Sequence, residues 1–81
     1  MIRNYDYSKL KGRIVEKLGN GRNYAMKLNI SDTSLYKKLN NKVPFTQDEI
    51  MISMQEDILD IKSDEICNYF FKQEVGKNPN D

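Results

Sequence analysis

Five helices packed into a single all-α domain are what this sequence predicts, on three observations. Apolar residues recur at helical spacing in short segments separated by Gly, Asn or Pro, and Ser, Thr or Asp stands before most of these segments as a cap. The period-two alternation of a strand is missing, except that an extended segment competes with a helix end at Tyr69 to Val75. With 81 residues and 38% hydrophobic content, the chain supports one small core. Residues 1–75 are expected to form it, with residues 76–81, which carry Gly, Pro and two Asn, as a flexible tail.

The first helix is expected over about Tyr7 to Leu18, capped by Asp6, with Tyr7, Leu10, Ile14, Val15 and Leu18 on its buried face. Gly12 interrupts it at a cost of roughly 1 kcal/mol relative to Ala. Gly19-Asn20-Gly21 supplies a turn that tolerates positive φ. A second, short helix follows, with Tyr24, Ala25 and Leu28 inward. The third starts at an N-cap, Ser31, has Asp32 in its positive first turn, and aligns Leu35 with Leu39. Asn40-Asn41-Lys42 ends it, and Val43-Pro44 makes an extended connector. Thr46-Gln47-Asp48-Glu49 has the form of a capping box, opening a fourth helix with Ile50, Met51 and Met54 on one core-facing side. Ile58, Leu59 and Ile61 are irregularly spaced and are expected to plug the core from a turn. Ser63-Asp64-Glu65 caps a last short helix that buries Ile66, Cys67 and Phe70.

Composition narrows the function. No apolar run reaches the roughly 20 residues of a membrane helix, and the Met-Ile-Arg-Asn start lacks the apolar stretch of a signal peptide. One cysteine, expected to act as a small buried apolar residue, cannot form an internal disulfide, and the lack of histidine removes the usual zinc spacings and acid–base arrangements. No phosphate-binding glycine motif occurs, so neither an enzyme nor a cofactor is expected. Charge is the more informative quantity. Residues 1–42 hold ten of the thirteen Lys/Arg and three of the twelve Asp/Glu, a net +7, whereas residues 43–81 hold three and nine, a net −6. Small domains can segregate charge by chance, but a basic half of this density also attracts a polyanion and orients the acidic half away from it.

Residues 21–39 decide between those readings. Two short helices flank a joint at Asn29, a residue that tolerates left-handed backbone, and Ala25 provides the small side chain needed where the helices cross. Leu28, Ile30 and Leu35 lock the pair, leaving the start of the second helix exposed, which is the plan of a helix-turn-helix. Over about residues 6 to 71 the sequence resembles the Cro/repressor class, with its lambda-repressor-like five-helix domain. It is similar also to short phage-encoded proteins that open with a Tyr-Asp-Tyr-Ser-Lys-Leu-Lys-Gly-Arg-Ile type of segment, here Tyr5 to Ile14. These carry a Ser-Leu-x-x-Lys-Leu-Asn-x-Lys segment, here Ser34 to Lys42, and a Gln-Asp-Glu-Ile helix start, here Gln47 to Ile50.

The resemblance implies a phage Cro-like repressor that binds a palindromic double-stranded DNA operator as a homodimer in the host cytoplasm. By the same resemblance Asp32, Thr33, Tyr36 and Lys37 fall where base edges are read, and Arg22, Ser31, Lys38 and Lys42 near backbone phosphates. Asp32 has a second explanation in the helix dipole. Two positions depart from the class: Gly21 stands where many members place Gln, and Asn29 where glycine is commoner. Tyr69, Phe71 and Val75 exceed the needs of one core and are the candidate dimer contacts. The alternative is an interaction module, antirepressor-like or antitoxin-like, that keeps the fold and engages a regulatory protein through its acidic, aromatic C-terminal half.

Overall fold

The computed structural model describes residues 4–73, so Val75 and the expected tail at residues 76–81 lie outside the described residues. Five α-helices follow one another: α1 Ser8–Leu18, α2 Gly21–Leu28, α3 Asp32–Leu39, α4 Gln47–Ser53 and α5 Ile66–Phe70, the last preceded by a 3-10 turn at Ser63–Glu65. Beyond Phe70 an antiparallel bridge joins Gln73 to Tyr5, and Asp6 N–H donates to the Lys72 carbonyl at 2.7 Å.

Local chemistry explains the boundaries. α1 begins one residue later than expected, after Tyr7, because Asp6 folds back to accept from the Ser8 N–H at 2.9 Å and the Ser8 hydroxyl at 2.6 Å. Those bonds, the hydroxyl's foremost, hold the Asp6 carboxyl below its ordinary range. Gly19 ends α1 at φ 90°, and Asn20 caps α2 by accepting from the Asn23 N–H at 2.9 Å. The Thr46–Glu49 capping box forms in full.

α2 sits at the centre, packed on α1, α3 and α4, while α1 also packs on α5. Tyr7, Leu10, Ile14, Tyr24, Ala25, Leu28, Leu35 and Phe70 are buried together with Ile58, Leu59 and Ile61, which enter from the turn before α5. Arg13 holds that turn: its Nε donates to the Leu59 carbonyl at 2.7 Å and its guanidinium to the Asp60 carbonyl at 3.1 Å. Asp60 there adopts φ 51°.

Three expected core positions lie outside it. Val15 is exposed because it stands roughly 100° around α1 from the Leu10–Ile14 stripe. Cys67 is exposed because Ile66, Tyr69 and Phe70 set the inward side of α5. Met51 is exposed because α4 buries the opposite face, whose stripe is Glu49 and Ser53. Polar partners make that face buriable. Ser53 Oγ donates to the Glu49 carbonyl at 2.8 Å, so its lone proton is used and the Tyr24 hydroxyl donates to Ser53 Oγ at 2.6 Å. Burial pushes the Tyr24 phenol well above the usual tyrosine range, keeping that donor protonated.

Gly12 has no packing reason to be glycine. It is exposed in mid-helix, and a Cβ built there meets nothing within 4 Å. Gly12→Ala is expected to stabilise the domain by about 0.5–1 kcal/mol, read as a higher urea midpoint at unchanged slope.

Candidate nucleic-acid interface

α2 and α3 meet at a tight joint. Ala25, 1% exposed, lets the helices approach, and Asn29 adopts the left-handed conformation at φ 59° and ψ 43°. Backbone bonds from Asn29 N–H to the Met26 carbonyl at 3.1 Å and from Ile30 N–H to the Ala25 carbonyl at 3.0 Å close the turn. Ser31 Oγ then caps α3 by accepting from the Ser34 N–H at 3.0 Å. At the far end, Asn41 at φ 63° turns the chain, and its side-chain amide brackets Tyr5, accepting from the Tyr5 N–H at 2.8 Å and donating to the Tyr5 carbonyl at 3.0 Å.

With α3 fixed at both ends, its helical phase sorts its side chains. Leu35 is buried and Leu39 half-buried on one side, while Asp32, Thr33, Tyr36 and Lys37 are exposed around the other. Ser31, Arg22 and Lys42 are exposed beside that surface, so seven of the eight residues expected to meet DNA lie free of the core. Lys38 does not. Its position, three residues after Leu35, falls in the buried stripe, and it is 6% exposed. Its Nζ pairs with Glu49 Oε1 at 2.9 Å, donates to the Pro44 carbonyl at 3.0 Å and lies 5.9 Å from the Phe45 ring centroid. The expectation that Lys38 touches phosphate is therefore corrected: it ties α3 to α4. Glu49 Oε1 also accepts from the Thr46 N–H at 2.8 Å, so one carboxylate caps a helix and neutralises a buried cation.

The expected dimer residues divide as well. Tyr69 is buried, with Lys9 Nζ 4.9 Å from its ring centroid, and belongs to the core. Phe71 is 48% exposed and stands edge-on to Tyr5 at 6.1 Å, beside a hollow of about 210 Å³ whose lining includes Tyr7, Phe45 and Phe70. Sequence reasoning missed Arg13 and Asn41 as structural anchors, and it read Glu49 as the capping-box acid without its buried pairing to Lys38. Neither Arg13 nor Asn41 carried a local signal of that role, because their partners lie 36 to 47 residues away.

A family model described as "Protein of unknown function (DUF739)" matches residues 3–73. The chain belongs to the DUF739 family. This DUF739 chain is also similar to a protein whose solution structure is known, the modulator of repression (MOR) of the temperate bacteriophage TP901-1 from Lactococcus lactis. The two are 39% identical, the match covers 83% of this chain and 88% of that one, and the TM-score is 0.69. No curated protein matches. Among the described residues of the DUF739 chain, no helix is long and apolar enough to cross a membrane.

Proposed function

We propose that this protein is a sequence-specific double-stranded DNA-binding regulator in a phage repression circuit, a Cro-like repressor that binds a palindromic operator as a dimer. One observation carries the reading. α3 is anchored on one side by Leu35 and the Lys38–Glu49 pair and leaves Asp32, Thr33, Tyr36 and Lys37 exposed on the other, with Arg22, Ser31 and Lys42 alongside. That is the arrangement a helix-turn-helix needs to lay its second helix in the major groove. Lys37 can donate to guanine O6 and N7, Thr33 can place its methyl on thymine, and Asp32 can accept from cytosine N4, while Arg22 and Lys42 reach phosphates. A single α3 offers too few base-reading side chains for useful specificity, so two half-sites about one helical turn apart are the expected arrangement.

A second reading follows from the likeness to a modulator of repression. In it the protein works by contacting a regulatory protein partner, with exposed Phe71 and the aromatic hollow beside it as the contact. Salt titrations separate the two. Lys37→Ala should weaken the preferred operator by about 1–3 kcal/mol and relax one base pair per half-site, with far less effect on scrambled duplex. Lys42→Ala should weaken both duplexes alike and lower the slope of log K against log salt by about one for each phosphate no longer neutralised. Equal losses from Lys37→Ala on both duplexes would make Lys37 a phosphate residue; no effect of either variant on any duplex would favour the protein partner.

A further inference from the structure

Beside the exposed face of α3 lies a hollow of about 240 Å³, lined by Gly21, Arg22, Asp32, Leu35, Tyr36 and Leu39. Gly21 forms part of its wall, and a Cβ built there would stand in ordinary contact with Leu35 Cδ2, at 3.6 Å, so a side chain at this position would project beside the apolar floor. We infer that this hollow receives the 5-methyl group of a thymine, which makes Gly21 a determinant of base preference; the inference rests on the DNA-binding reading above.

Charge and polarity select that occupant. Exposed Arg22, Lys37 and Lys42 surround the start, the face and the end of the α2–α3 pair and draw a polyanion to it. The leucines at positions 35 and 39 offer a phosphate no donor and Asp32 repels one, so of the lining side chains the Arg22 guanidinium and the Tyr36 hydroxyl can donate while the apolar floor cannot. The edge that DNA presents in its major groove carries one apolar group, the thymine methyl, which fits an apolar floor. Asp32 meanwhile accepts from an exocyclic amino group, cytosine N4 or adenine N6, so the preferred step places thymine next to a base bearing such a group.

The test replaces thymine by deoxyuridine, one position at a time, in the duplex that the full chain selects from a random pool. At one position per half-site, loss of the methyl should lower affinity about fourfold, the value of one buried carbon, and changing both half-sites should multiply the effect. Gly21→Leu, which fills the hollow, should bind the thymine and deoxyuridine duplexes equally; Gly21→Ala, with a shorter side chain, should lose part of the discrimination, and matching thermal melts show that both variants are folded. Deoxyuridine without effect at every position of a specifically bound duplex would overturn the inference and leave the DNA-binding reading standing. So would a methyl dependence that persists undiminished in folded Gly21→Leu, because the methyl would then be read elsewhere. Failure to select any duplex would overturn both.

Discussion

Lys38→Ala should destabilise the domain by about 3–5 kcal/mol, because it strands a buried carboxylate. Glu49 is 7% exposed and its Oε1 faces Lys38 Nζ at 2.9 Å; without the ammonium, only the Thr46 N–H at 2.8 Å remains to stabilise its charge. The Pro44 carbonyl loses its donor as well. Against a total stability of roughly 0.05–0.15 kcal/mol per residue, such a loss leaves little of the fold. Lys38→Met combined with Glu49→Gln removes both charges and keeps a side chain able to close the capping box, so it should recover much of the loss. Urea unfolding of the single and double variants gives the comparison. A Lys38→Ala midpoint close to wild type would mean that the pair contributes no buried electrostatic tie between α3 and α4.

Phe70→Ala and Phe71→Ala should differ sharply although the residues are neighbours. Phe70 is 2% exposed and stands edge-on to Phe45 at 5.3 Å, and Phe45 in turn stands edge-on to Tyr7 at 5.3 Å. Removing the Phe70 ring opens a cavity at the root of a five-residue helix, for an expected loss of about 3–5 kcal/mol. Phe71 is 48% exposed and its backbone has left helical geometry at φ −126°, so its truncation should cost under about 1 kcal/mol. Thermal or urea unfolding reads both. Similar losses would place α5 in a different rotation against α1.

Most of the fold was legible because its signals are local. Ser31 and Thr46 cap where they stand, Gly19 and Asn29 take the positive φ their types allow, and Ile58, Leu59 and Ile61 enter the core from a turn as expected. What misled was reading apolar residues as inward without asking which polar ones had partners. In α4 the apolar positions Ile50, Met51 and Met54 define one face, yet Glu49 and Ser53 are buried because Lys38 and Tyr24 meet them from α3 and α2. Partners so distant in sequence leave no periodic trace. The same pairing withdrew Lys38 from the candidate DNA contacts: a lysine in a basic segment reads as a surface cation until its helical phase is compared with Leu35. Arg13 is another cation of the basic half committed inward, to carbonyls 46 and 47 residues away. Exposed Arg22, Lys37 and Lys42 remain to carry the proposed DNA contact.

Selection from a random double-stranded pool by the full chain asks whether the exposed face of α3 reads duplex sequence, as proposed. Enrichment of a palindrome with half-sites about one helical turn apart is the expected result. Binding of that site should fall steeply with salt and exceed binding of scrambled duplex by about 10³-fold or more. A pool that stays unenriched, with selected and scrambled duplexes bound alike at every salt concentration, would contradict the proposed readout.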